Sequence, residues 1–169
     1  IWAMIRRPLS KPVYMLVIAT IPAVVAALLL GDFFEIAFTG KFLGLGFLAT
    51  SVILMLTGRK QGHRREMNYI DALVMGLFQA FAILPGVSRS GSTISGGLAR
   101  GVDREEAAKF SFLMSIPAIL GSVVLQVKDL ATGQATALPV VPVILGTVVA
   151  ALSSLFAIKF MLYIVKRTN

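Results

Sequence analysis

The sequence predicts an all-α integral membrane protein, a polytopic helical bundle that includes a re-entrant helix–loop–helix. Three observations predict it. Hydrophobic residues make up 57% of the 169 and charged residues only 14%, against roughly 25% charged in an ordinary soluble domain. Four uncharged runs approach or reach the length of about 17–25 helical residues that a bilayer crossing requires. A fifth apolar segment, 70–99, is broken at its centre by Pro85, Gly86 and Gly91. The same composition excludes a disordered chain, which could not be this apolar. The lack of cysteine excludes a disulfide scaffold, a thiolate metal site and a cysteine nucleophile.

The four runs are 13–30, 42–57, 110–127 and 138–158. The second is short and needs flanking residues to complete a crossing. The first is followed by Asp32 and Phe33 rather than by small residues, so it does not read as a cleavable leader. Cations outnumber acids 16 to 8. In a soluble chain that excess would suggest nucleic acid. Here the cations sit in the short connections between apolar runs, as membrane topology places them, and nucleic acid is not an expected partner. Arg59, Lys60, Arg64 and Arg65 fill the connection 58–68, Arg100, Arg104 and Lys109 lie in 100–109, and Lys159, Lys166 and Arg167 end the chain. The positive-inside rule then puts these three stretches in the cytoplasm.

That assignment leaves both ends of 70–99 on one side. Two half-helices that dip in and return satisfy it; a proline-kinked helix that simply spans is the competing reading. Irregular backbone is tolerated at membrane depth only where protein buries it or a wet cavity bathes it. Pro85-Gly86 is expected to end the first half-helix, and the second is expected to begin near Ser90. Ser88, Ser90, Ser92 and Thr93 offer hydroxyls, Gly86 and Gly91 admit close backbone approach, and a helix N-terminus favours anions.

Arg89 stands inside this break. An arginine so deep in an apolar stretch costs at least ~2.5–3.5 kcal/mol on insertion scales. Asp71, at the edge of the segment, is the one acid there that could offset it. A phosphate would do so better, because the guanidinium fork matches its oxygens two at a time. The expectation is an anion site built from Arg89, Ser88, Ser90, Thr93, Gly86 and Gly91. In the competing reading Arg89 snorkels to the surface and the serines pack helices. The spacing G-x-x-x-x-G-x-T over 86–93 is not a P-loop: Ser92 stands where that loop needs Lys, and the preceding strand and the magnesium-binding acid are missing. Elsewhere, Asp103-Arg-Glu-Glu106 reads as a helix start with a capping box, His63 as a solvated loop residue, and Gly44 and Gly46 as points of close helix packing.

The stretch Pro85-Gly-Val-Ser-Arg-Ser-Gly-Ser-Thr93 is similar to the Pro-Gly-x-Ser-Arg-Ser-x-x-Thr signature of the bacterial undecaprenyl-diphosphatase family. Gly76-Leu-Phe-Gln79 before it, Ile94-Ser-Gly-Gly97 after it, and Gly101-Val-Asp-Arg104 with Phe110-Ser-Phe-Leu113 carry the same likeness. The resemblance implies hydrolysis of undecaprenyl diphosphate, a polyprenyl diphosphate lipid, at the bacterial plasma (inner) membrane. That reaction recycles the lipid carrier of cell-wall precursors and confers bacitracin resistance when the enzyme is abundant. It also implies an inverted-repeat, multi-pass fold in which two re-entrant loops meet at one site. On that basis 1–169 is a single membrane domain, with 1–68 the end of the first repeat and 69–169 most of the second, its re-entrant loop at 70–99.

The family's first repeat also carries a glutamate-rich motif and a Ser-Ser-Thr-Gly-His stretch, neither of which occurs here. The positions corresponding to its two glutamates are Gln79 and Ile83, of which only Gln79 could line a site. The resemblance therefore leaves Arg89 as the catalytic residue of this chain, gripping phosphate oxygens, with Ser88, Ser90 and Thr93 donating hydrogen bonds to the same group. The nucleophile and base are expected outside the chain. A divalent cation, magnesium or calcium, is implied by the family, with no metal ligands identifiable here. Val24-Val-Ala-Ala-Leu28 recurs as Val148-Val-Ala-Ala-Leu152, 124 residues on, which suggests a fragment cut at both ends; a rival match of Ile21-Pro-Ala with Ile116-Pro-Ala lies 95 apart. A homodimer is left open. The alternative function is a secondary transporter or flippase for an anionic, phosphate-bearing lipid or solute, since broken helices also build carriers.

Overall fold

A computed structural model describes residues 10–40, 42–58, 63, 66–132 and 139–167. The basic connection 58–68 lies largely outside the described residues. The described elements are helical: α1 (Lys11–Leu29), α2 (Gly31–Ala37), α3 (Leu43–Thr57), α4 (Tyr69–Phe81), α5 (Arg89–Ala99), α6 (Arg104–Ala131) and α7 (Val140–Arg167). They fall into two compact units, 1–122 and 123–169, described separately.

In the first unit the uncharged runs become α1, α3 and α6, because a helix satisfies its own backbone where no water is available. The stretches Lys11–Leu29 and Arg104–Val124 are long and apolar enough to cross a membrane, whereas α3, at 15 residues, is not by itself. The outer faces are apolar: Leu28, Leu29 and Met55 are 77%, 78% and 83% exposed. The interior instead holds Asp71, Gln79, Ser92, Thr93, Ser95 and Ser111, all buried. A water-soluble domain distributes these residue types the other way round. An apolar core does exist, formed by Met15, Ala19, Met67, Ala72, Met75, Val102, Ala107, Phe110 and Met114.

α1 packs along α4, α4 along α5, and α5 along α3. The first of these seams is backbone on backbone. A Cβ built on Gly76 of α4 would strike the Ala19 carbonyl oxygen and lie 2.8 Å from the Ala19 Cα.

The segment 70–99 is a helix–loop–helix, as its composition predicts, with one boundary displaced. α4 ends at Phe81, four residues before Pro85. The backbone turns earlier, through hydrogen bonds from Ile83 N to Ala80 O (3.2 Å) and Leu84 N to Phe81 O (3.3 Å), since the residue preceding proline is held out of the helical region. Gly86 has φ +86°, a left-handed conformation that glycine adopts at no steric cost.

The two ends of the hairpin meet. At the start of α4, Asn68 Oδ1 accepts from the Asp71 N–H (2.9 Å) while Asp71 Oδ2 accepts from the Asn68 N–H (3.0 Å), a reciprocal cap. The other oxygen of this fully buried carboxylate accepts from Arg100 Nε at 3.2 Å, and Arg100 is the C-cap of α5. Gly101 (φ +77°) then closes α5, with Val102 N bonding Gly97 O and Gly101 N bonding Leu98 O, each at 3.0 Å; this is a Schellman ending. Asp71 therefore pairs with Arg100 and not with Arg89, the partner the sequence suggested.

At the start of α6, Asp103 O accepts from the Ala107 N–H at 2.8 Å, consistent with Asp103 as N-cap, while the Glu106 carboxylate faces Lys109 at 3.0 Å. His63 is exposed, as expected.

In the second unit α7 carries an apolar stretch over Val141–Ala157. Phe156 and Phe160, one turn apart, stack with centroids 6.2 Å apart and planes 6° from parallel.

Candidate active site

The site is the turn that joins α4 to α5. Ser88 is the N-cap of α5, in extended conformation (φ −69°, ψ 115°), and its Oγ accepts from the Gly91 N–H at 3.2 Å. Capping uses the lone pairs of Oγ, so the hydroxyl proton stays available to a ligand. A Cβ on Gly91 would come within 3.0 Å of that Oγ, which is why glycine fits there. Ser90 is exposed and lies in the first turn of α5. The amides of Arg89 and Ser90 are among those a helix leaves without an intrahelical acceptor.

Arg89 opens α5 and is half-buried. Its Nη2 donates to Gln79 Oε1 at 2.6 Å and to the Met114 carbonyl at 2.9 Å. Both protons of Nη2 are used in these bonds, which leaves Nη1 and Nε for a ligand. Among the described residues no carboxylate lies within ion-pair distance of Arg89. Its charge is thus solvated by two neutral oxygens and not neutralised. Gln79 is only 3% exposed, and its Nε2 has no hydrogen-bond partner among the described residues. The structure therefore brings Gln79 against the guanidinium.

Thr93 is 1% exposed. Its hydroxyl donates to Arg89 O (2.9 Å) and Ser90 O (3.3 Å) and shares a 2.6 Å bond with Ser111 Oγ of α6. It faces the interior and ties the first turn of α5 to α6. Ser92 is fully buried, its hydroxyl without a partner among the described residues. One turn on, Ser95 Oγ and Thr57 Oγ1 of α3 lie 2.7 Å apart.

The turn rests on α3. A Cβ on Gly46 would strike the Pro85 carbonyl oxygen and lie 2.9 Å from Cα and from C of Gly86. Gly46 is thus the close-packing residue that the sequence suggested. Gly44 is not: a Cβ there meets nothing within 4 Å, because it lies on a face of α3 turned away from the loop. Thr50, which sequence reasoning passed over, receives the Ser88 N–H at 2.9 Å. Its one available signal was position: Gly46 and Thr50 are four apart and share a helix face.

Among the described residues no group of three or more His, Cys, Asp or Glu side chains could hold a metal ion. The chemistry the arrangement supports is oxyanion binding by one guanidinium, two hydroxyls and the first-turn amides of a helix.

Comparisons with known proteins identify the relatives of this chain. The chain is 44% identical over 168 residues to undecaprenyl-diphosphatase 4 of Bacillus thuringiensis strain Al Hakam, covering 97% of this chain and 65% of the relative. It is 43% identical over 173 residues to the undecaprenyl-diphosphatase of Carboxydothermus hydrogenoformans, covering 99% and 66% of the two chains. It is 39% identical over 157 residues to that of Halothermothrix orenii, covering 90% and 61%. The chain thus spans about two thirds of the length of these curated relatives or slightly less. The family model described as bacitracin resistance protein BacA matches residues 3–169, and with that match the chain belongs to the BacA family.

Proposed function

We propose that this chain supplies the phosphate-gripping part of an enzyme that hydrolyses undecaprenyl diphosphate to undecaprenyl phosphate and inorganic phosphate. The observation that carries the reading is Arg89. It is a cation held by Gln79 and a backbone carbonyl at the N-terminus of α5, with no acid to neutralise it among the described residues. The relatives' names supply the reaction. Over that reaction the bridging P–O bond breaks, undecaprenyl phosphate leaves, and an oxygen from water ends on the terminal phosphorus as inorganic phosphate. Such catalysis is mainly positioning and charge stabilisation.

In our reading Arg89 binds the non-bridging oxygens through Nη1 and Nε, and Ser88, Ser90 and the first-turn amides of α5 complete the cradle. Gly86 and Gly91 give the backbone its close approach. Thr93 supports the site from behind, through its bonds to the carbonyls of Arg89 and Ser90 and to Ser111. The nucleophile and general base are proposed to lie in a part of the protein beyond this chain. A divalent cation, magnesium or calcium, belongs to the proposal through the family alone; the described residues do not form a site for it, and no step is routed through it.

We propose further that α4, the turn and α5 form a re-entrant hairpin within an inverted-repeat, multi-pass protein of the bacterial inner membrane. The Asp71–Arg100 pair supports the hairpin, because it joins the two ends of the segment.

The test is phosphate release from undecaprenyl diphosphate by a protein of the relatives' full length that carries this chain, reconstituted in lipid. Arg89→Ala should reduce turnover by at least about a hundredfold with the fold retained. Arg89→Lys should also be badly impaired, because one ammonium cannot hold Gln79 and Met114 on one side and an oxyanion on the other. Near-normal turnover by Arg89→Ala would refute the assignment. Movement of the intact lipid without phosphate release would establish a carrier instead.

A further inference from the structure

We infer that Thr50 is a positioning residue for the active-site turn: its hydroxyl holds the backbone of Gly86 and Ser88 at the spacing in which the turn can receive a phosphate. The inference rests on the reading of the 85–93 stretch as a phosphate site. Thr50 Oγ1 accepts from the Ser88 N–H at 2.9 Å and lies 3.1 Å from the Gly86 carbonyl and 3.0 Å from the Gly46 carbonyl as donor. The bond to Gly46, one turn back, is what any helical threonine can make. Acceptance from Ser88 is not; it serves a chain segment 38 residues away.

The geometry explains what the hydroxyl does. Within the turn, Gly86 presents a carbonyl and Ser88 an N–H, two residues apart and both partly buried. A hydroxyl donates and accepts at one atom, so the single Thr50 Oγ1 can bridge the two. Thr50 reaches them because α3 offers one face to the turn. Leu43, Gly46, Phe47 and Thr50 recur at helical spacing, and a Cβ on Gly86 would strike the Leu43 carbonyl oxygen and come within 3.1 Å of the Phe47 nitrogen. Ser88 is also the N-cap of α5, and the next residue is Arg89. Fixing the Ser88 amide therefore fixes the helix terminus and the root of the guanidinium together. Thr50 does not contact the bound group; it acts through Ser88.

The test is a set of variants at position 50 in the reconstituted full-length protein, with Ser51→Ala as a control on the same helix, since the Ser51 hydroxyl is exposed and, among the described residues, bonds only its own helix at Phe47 O. Thr50→Val keeps the shape and removes both bonds. It is expected to lower kcat on the order of tenfold to a hundredfold with KM nearly unchanged, as for a misplaced catalytic group. Thr50→Ser restores the hydroxyl and should recover most of the rate, and Ser51→Ala should behave as wild type. Amide hydrogen exchange at Ser88 should quicken in Thr50→Val and return to wild-type protection in Thr50→Ser. Wild-type kcat in Thr50→Val, or a serine variant as impaired as valine, would overturn the inference, as would unchanged Ser88 protection in Thr50→Val. Should Thr50→Val not accumulate in the membrane, Thr50→Ala is read by the same criteria. Should the wild type release no phosphate, the proposed function fails, and Ser88 exchange still decides for or against the clamp.

Discussion

Two glycines of α3 permit a sharp test of how the turn between α4 and α5 is seated. Gly44 and Gly46 are two residues apart on one helix, so an alanine at either should bring the same intrinsic helical gain, about 0.5–1 kcal/mol. Their surroundings differ. At Gly44 the added methyl meets nothing within 4 Å; at Gly46 it meets the Pro85 carbonyl oxygen and two atoms of Gly86 at 2.9 Å, where ordinary contact begins near 3.4 Å. All three are backbone atoms and none can rotate aside, so the seam must open by roughly half an ångström to one ångström. The Thr50 bonds to Ser88 and Gly86, at 2.9 and 3.1 Å, then pass out of hydrogen-bonding range. Overpacking costs about 1–3 kcal/mol and each lost bond about 0.5–1.5 kcal/mol. Against the helical gain, Gly46→Ala should be destabilised by about 2 kcal/mol or more and Gly44→Ala slightly stabilised. Turnover should fall on the order of a hundredfold for Gly46→Ala alone. Chemical unfolding in detergent followed by circular dichroism, together with phosphate release, reads both quantities. If the two alanines proved indistinguishable in stability and turnover, the reasoning about the seam would be wrong.

Other substitutions probe the scaffold. Gly76→Ala should destabilise the protein by about 1–3 kcal/mol despite its helical gain, because the new methyl meets the Ala19 backbone; wild-type stability on chemical unfolding would show that α1 and α4 do not touch there. Arg100→Ala removes a partner of a fully buried carboxylate. Breaking a wholly buried pair costs about 3–5 kcal/mol, and because the Arg100 side chain is 41% exposed the loss here should be smaller, on the order of 1–2 kcal/mol. An unchanged unfolding midpoint would mean that the hairpin ends do not depend on this pair.

Much of the architecture was legible from residue type alone. α1, α3 and α6 lie where uncharged runs required helices, and the broken segment 70–99 is a helix–loop–helix because Pro85 and Gly86 cannot continue one. Long-range partners were harder to read. Arg89 needed a compensating group, and the nearest acid along the segment was Asp71. Sequence separation hid the fact that Asp71 starts one helix and Arg100 ends the next, which brings them together at the hairpin's base, while Gln79 and the Met114 carbonyl reach Arg89 from α4 and α6. The carbonyl could not have been found from side-chain identity, since every residue has one. The sequence groups Ser88, Ser90 and Thr93 around Arg89 as one ligand set; in the structure Ser90 is exposed and Ser88 half-buried, while the Thr93 hydroxyl is buried against the carbonyls of Arg89 and Ser90 and against Ser111. Gly44 and Gly46 looked equivalent because a sequence does not say which face of α3 meets the loop.

Where Gly46 meets Pro85 and Gly86, backbone touches backbone with no side chain between them to absorb a change. Such a join leaves natural variation little freedom. A larger residue at 46 or 86 would have to be matched by a shift of the opposite strand of chain, and a loss of the hydroxyl at 50 by another bridge to Ser88. Among related sequences these positions should therefore drift in concert, as an inherited unit, while their exposed neighbours on α3 vary freely.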